Sequence, residues 1–196
     1  MQHRLSKADL TTLAAGICQE LGQGWSVKPC DLEHLVKFFH EDGHGIAIHG
    51  TWDGPGRLSI TGEYPRDARS NTCYGRSVIR YNGSLPKITV ADTKTAKQIA
   101  GDIRRRLLPE YLEIYKKAVE RKASADKYEA AQGSVLDRLA QIAPSLHVDR
   151  ERKVFSDYRS EGGYVTNGQA SDDSVSMDLR SVPVEKAEAI LRLLHS

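Results

Sequence analysis

The chain has 196 residues, 28 of them basic and 26 acidic, a formal net charge of +2 and 39% hydrophobic residues. That balance gives no bulk electrostatic reason to bind nucleic acid or membrane, and no apolar run reaches the roughly 20 residues that a bilayer span needs. Met1–Leu5 lacks the apolar core of a signal peptide. The three cysteines form no CxxC pair, which fits a reduced compartment. The expectation is a cytoplasmic protein with no membrane partner.

Ser6 can cap a first helix with Leu10, Leu13, Ile17 and Leu21 on one face, ended by Gly22 and Gly24. Trp25–Lys28 reads as a short strand. Leu35–Phe39 and Ile46–Trp52 read as a hairpin around Asp42-Gly43. The turn Asp53-Gly54-Pro55-Gly56 leads into a strand over Arg57–Tyr64. Residues 65–76 are polar and read as an exposed loop, and Ser77–Tyr81 with Lys87–Ala91 reads as a second hairpin around Asn82-Gly83.

Asp92 or Thr93 then caps the longest helical pattern in the chain, with apolar positions at Ala96, Ile99, Ile103 and Leu107, and onward from Tyr111 to Ile142. Pro109 cannot donate to the Arg105 carbonyl, so a kink or restart is expected there, with Ser124 and Gly133 as further break points. Unbroken, the stretch would run about 75 Å at 1.5 Å per residue. After Pro144, four short strands are expected over Leu146–Asp149, Lys153–Tyr158, Gly163–Asn167 and Val175–Arg180, with turns that include Glu161-Gly162. Pro183 opens a closing helix with Ala187, Ile190, Leu191 and Leu194 apolar.

Each half therefore reads helix, antiparallel meander, helix. Ala96, Ile99 and Ile103 share their spacing with Ala187, Ile190 and Leu194. This implies an α+β fold of two pseudo-repeated lobes, 1–108 and 132–196, joined by a helical connector over 109–131.

His34, His40, His44 and His49, with Cys30, Glu41 and Asp42, are metal-ligand types. A two-residue Asp42-Gly43 turn would place Phe39 opposite Ile46 and Val36 opposite His49. His40 and His49 would then lie roughly 13 Å apart at 3.3 Å per residue, with His44 on the other face. In that register no three of them converge on one ion, and the histidines read as surface and edge residues with no metal. Cys73 sits among loop arginines without a partnering base, which leaves its thiol a weak candidate nucleophile. There is no phosphate-cradling glycine motif, so neither catalytic nor cofactor-binding residues are expected. Arg104, Arg105 and Arg106, with Lys116 and Lys117, form the densest basic stretch and could meet phosphates, although three consecutive helical residues fan over about 200°. Tyr64, Arg66 and Arg69 give the loop a composition suited to interfaces.

The segment Ile99–Tyr111, with the Glu120–Ala123 that follows, resembles stretches of uncharacterised proteins encoded by phages and prophages of GC-rich bacteria. That resemblance implies a mobile-element accessory protein in a bacterial host cell and carries no catalytic residues. The resulting expectation is a non-catalytic binding protein that contacts a host protein or a protein–nucleic-acid complex, with interference in host defence as one such role. Direct DNA or RNA binding through the basic helix is the first alternative, and a metal-dependent enzyme built on the histidine hairpin the second. A long exposed amphipathic helix also suits a homodimer.

Overall fold

The computed structural model describes residues 5–50, 56–68, 70–79, 83–157 and 164–194. The fold is α+β with antiparallel sheets, and the chain forms two compact units, Met1–Lys122 and Ala123–Ser196. No helix among the described residues is long and apolar enough to cross a membrane.

The first unit opens with α1 (Lys7–Leu21), capped by Ser6 and Asp9 in a reciprocal capping box. Five strands follow in the order β1 (Trp25–Lys28), β2 (Leu35–His40), β3 (Gly45–Gly50), β4 (Arg57–Glu63) and β5 (Lys87–Ala91), a simple antiparallel meander. The period-two alternation gives this sheet two unlike faces. Val36, Phe38, Ile46, Ile48, Leu58, Ile60, Ile88 and Val90 line one face and are buried in one cluster with Leu10, Ala14 and Ile17 of α1 and Ile99 and Ile103 of the later helices. The opposite face carries Lys37, His49, Thr61, Glu63 and Lys87, placed together by the pairings Leu35 with His49, Lys37 with Ala47, Ala47 with Thr61 and Thr61 with Lys87.

The β2–β3 register differs by one residue from the expected one. Phe38 pairs with Ile46, Phe39 with Gly45 and Leu35 with His49. The cause lies in the turn. Glu41, Asp42 and Gly43 form a three-residue loop in which His40 N–H donates to His44 C=O and Gly43 N–H to His40 C=O. Gly43 adopts φ +90°, the left-handed position that such loops place last. The slip brings His40 and His44 opposite one another.

The stretch between β4 and β5 is also more ordered than its polar composition suggests. Arg66 and Cys73 form a β-bridge, Asp67 N–H donates to Thr72 C=O, and Tyr74–Val78 is a short helix, α2, where a strand over Ser77–Tyr81 was expected. Among the described residues β5 pairs with β4 alone. The expected turns at Asp53–Pro55, Asn82 and Glu161–Gly162 lie outside the described residues, as do Arg69 and Trp52.

The helical stretch starts later than expected. Asp92–Lys94 turn, and Thr95 caps α3 (Ala96–Asp102) with Gln98 closing the capping box. Residues Ile103–Leu107 form a π turn in which Leu108 N–H reaches Ile103 C=O. Pro109 lies just beyond, where its ring would crowd the Arg105 carbonyl of a regular helix; the wider turn meets that constraint without ending the helix. α4 (Leu108–Ile142) then runs through Ser124 and Gly133 without a break.

In the second unit, the later residues of α4 supply Leu136, buried with Phe155 and Ala170 and flanked by Val135, Leu139, Leu146 and Val148. Gln132 Nε2 donates to Ala170 C=O at 3.0 Å, and Arg150 pairs with Asp137 at 2.7 Å. The strands are β6 (His147–Asp149), β7 (Val154–Asp157), β8 (Tyr164–Ala170), β9 (Val175–Ser176) and β10 (Leu179–Arg180). β9 and β10 both pair with β8, on the edge away from β7, as two pieces of one interrupted strand. α5 (Val184–Leu194) closes the unit with no buried residue. Among the described residues both units thus show helix, five antiparallel strands, helix, but the first inserts α2 between β4 and β5 and the second ends its sheet on the two short pieces β9 and β10, so the shared outline is one of element order.

Tyr111 of α4 is fully buried in the first unit. Its hydroxyl accepts from Gly45 N–H at 2.9 Å and donates to Glu63 C=O at 2.7 Å, and its ring lies over Gly62, where an added Cβ would stand 2.1 Å from a ring carbon. Tyr111→Phe is expected to lower unfolding stability by about 1–3 kcal/mol through the two backbone groups left unpaired. Gly62→Ala should cost more, because ring and strand cannot both keep their places. Urea denaturation of the two variants checks both; a Tyr111→Phe protein as stable as the parent would refute the bridge.

Candidate functional site

On the polar face of the first sheet lies a cavity of about 1090 Å³, bounded on one side by strand residues Lys37, His49, Thr61 and Lys87 and on the other by the 64–85 segment. This volume is at the upper end of small-molecule sites. Its described lining contains four cations, Lys37, Arg66, Arg76 and Lys87, against one carboxylate, Glu63. Lys37 Nζ sits 2.8 Å from Glu63 Oε2, with both side chains partly buried. Arg66 Nη1 donates to Asn71 C=O at 3.3 Å, which holds the guanidinium without cancelling its charge.

Tyr64 closes one wall. It was expected on an exposed loop, but it is buried, packing edge-on to Tyr111 at 5.2 Å and against Gly75. Its hydroxyl is buried without a hydrogen-bond partner among the described residues, and burial pushes its pKa up, so the group remains a proton donor. Cys73 also lines the cavity, with a free and partly buried thiol.

The histidines divide by face. His49 is half-buried in the cavity wall; burial lowers its pKa, Glu63 opposes the shift, and His34, Lys37 and Lys87 add to it. His40 and His44 stand at the hairpin tip on the core face, stacked at 4.7 Å with an interplanar angle of 19°. Trp25 meets them edge-on at 5.3 and 5.1 Å. Asp42 Oδ2 lies 3.1 Å from His40 Nδ1. The ligand atoms of His40, Asp42 and His44 all lie within 4.8 Å of one another. This corrects the expectation that His40 shares a face with His49 while His44 lies on the other: His44 joins His40 and it is His49 that faces the other way, because the three-residue turn displaces the register.

The basic helix residues are placed differently. Asp102, buried, takes Lys94 at 2.5 Å, Arg105 at 3.0 Å and Arg106 at 3.9 Å. The Lys94 hydrogen bond, above all, holds the Asp102 carboxyl below its usual pKa range. Arg104 donates to the Glu20 carbonyl near the end of α1, where a cation meets the negative end of the helix. Lys116 and Lys117 are exposed on α4. The densest basic run of the sequence is thus engaged locally, whereas the cavity gathers Lys37, His49, Arg76 and Lys87, which no local motif marks. For the strand members of that set, the period-two alternation was the available signal.

No family model matches the chain, and neither a curated protein nor a solved structure matches it.

The lowered His49 pKa fixes the direction of a pH effect. Above the ordinary histidine pKa of about 6.5, folded and unfolded chains both carry neutral His49 and the stability is complete. As pH falls through that value the unfolded chain takes up the proton first, so stability is lost until the depressed folded pKa is reached. Urea midpoints should fall between pH 7.5 and 5.5, with a shallower decline in His49→Gln; identical declines would rule out this role for His49.

Proposed function

We propose that this chain is a non-catalytic binding protein whose first unit takes an anionic group, a carboxylate or a phosphate, into the cavity on the polar face of its sheet. The observation that carries the reading is the ring of four cations set against a single, already paired carboxylate among the described lining residues. In a partly desolvated recess such charges interact more strongly with an anion than they would in water.

A mobile-element setting belongs to the same proposal. The anionic group is then presented by a host protein or a protein–nucleic-acid complex, met in the cytoplasm. Direct nucleic-acid binding through Arg104–Arg106 has less behind it, because Asp102 and the Glu20 carbonyl already engage those side chains.

Calorimetric titration with inorganic phosphate and, separately, with citrate tests the reading and tells the two chemistries apart. Arg76→Ala combined with Lys87→Ala should weaken the preferred anion at least tenfold, since a hydrogen bond to a charged group contributes about 1.5–3 kcal/mol. Arg105→Ala should leave it unchanged. Binding should also weaken with added salt. If neither anion binds, or if Arg105→Ala is the variant that weakens it, the cavity is not the site.

A further inference from the structure

The hairpin tip offers chemistry that the anion cavity does not use. His40 and His44 are the residues on either side of the Glu41–Gly43 loop, so the backbone fixes their imidazoles side by side on one face. Both rings are further held by the edge of Trp25, and His44 also meets the rings of Tyr111 and Tyr115 at 6.3 and 6.0 Å. Two imidazoles confined in this way lose little freedom on gaining a common partner. Asp42, by contrast, is 74% exposed at its side chain and can rotate.

We propose that His40, Asp42 and His44 form a binding site for a divalent transition-metal ion. Two imidazole nitrogens and one carboxylate oxygen are a donor set that suits zinc, iron, nickel or copper and disfavours magnesium and calcium, which prefer all-oxygen shells. The donors lie within 4.8 Å of one another. Bonds of about 2.0–2.2 Å to each require the exposed Asp42 side chain to turn inward and the two imidazoles to rotate out of their near-parallel stack, so that both nitrogen lone pairs meet one point. Three protein donors leave at least one coordination position for water, on the side where Asp42 faces solvent. Rotation of Asp42 onto the ion would give up its present 3.1 Å contact with His40 Nδ1, which also accepts from Asp42 N–H at 3.2 Å. The alternating spacing of the three residues places them on one short loop, so the ion would also fasten the end of the β2–β3 hairpin. The site lies on the opposite face of the sheet from the cavity, so it stands or falls independently of the proposed anion binding.

The test uses the full chain without an affinity tag, zinc chloride as the probe, and a chromophoric chelator in competition. The expected result is one zinc ion per chain, with binding weakened at least tenfold by Asp42→Asn and by His44→Gln and unchanged by His147→Gln in the second unit. Asp42→Asn separates lost ligation from lost folding, because its exposed side chain carries no packing. Cobalt substitution should give visible absorption bands of a nitrogen- and oxygen-ligated ion that vanish in Asp42→Asn. No stoichiometric zinc, or zinc binding indifferent to both Asp42→Asn and His44→Gln, overturns the proposal.

Discussion

The phenol of Tyr111 is the contact on which the rest of the first unit depends. Gly45 and Glu63 are register partners at the end of the β3–β4 ladder, and the Tyr111 hydroxyl stands between the N–H of one and the C=O of the other. A side chain from α4 thus finishes a backbone ladder. The same residue fixes the height of the helix above the sheet, because its ring fits only over a strand position without a Cβ, Gly62. From that point its neighbours follow. Tyr64 packs edge-on to it and starts the 64–85 segment, while His44 and Tyr115 lie against its other side. Both candidate sites are one residue removed from this ring.

That arrangement explains how one small sheet can serve two chemistries. The core face is fully used by α1 and the α3–α4 stretch, so only its rim, at the 40–44 loop, can expose polar ligands. Among the described residues, no helix of comparable length covers the other face. Its cover is the bridged loop and α2, which close over a row of polar strand residues and leave a space rather than a packed core. A partly buried ion pair such as Lys37–Glu63 is a weak source of stability, since desolvation offsets much of its attraction. Its placement is better understood as setting the charge of the wall.

Much of this was legible in the sequence where one local rule dominated. The periodic helices and the strands after Pro144 follow directly from pattern, as does the α+β class, whereas the cap of the long helical stretch is Thr95 and not Asp92 or Thr93. The departures share a form, in which several local signals compete. Asp42-Gly43 fits a two-residue turn, but the same glycine fits the last position of a three-residue loop. That single residue moves every cross-strand pair of the hairpin, and with them the two histidines come together. Ser77–Ile79 has strand-like composition, yet Tyr64 over Gly75 holds the preceding residues in a helical turn. The cavity cations were hidden for a different reason. They lie far apart along the chain: the register of β2 to β5 brings Lys37 and Lys87 to one face, and the bridged loop and α2 add Arg66 and Arg76.

The two basic sets show why charge density along a chain is a poor guide to where charge acts. Arg104, Arg105 and Arg106 are consecutive, but the turn that carries them follows directly on Asp102, buried and within reach of two of them, and passes near a helix terminus that takes the third. These contacts tether the three guanidinium groups to the helix surface without cancelling their charge. Lys37, Arg66, Arg76 and Lys87 are spread through the sequence, and the one carboxylate among the described lining residues is paired with Lys37. These cations line one recess, where low-dielectric walls focus their field. What decides the accessible electrostatics is where folding holds the cations: each set shares one carboxylate, Asp102 on the helix and Glu63 in the cavity, but only the cavity set lines a common recess.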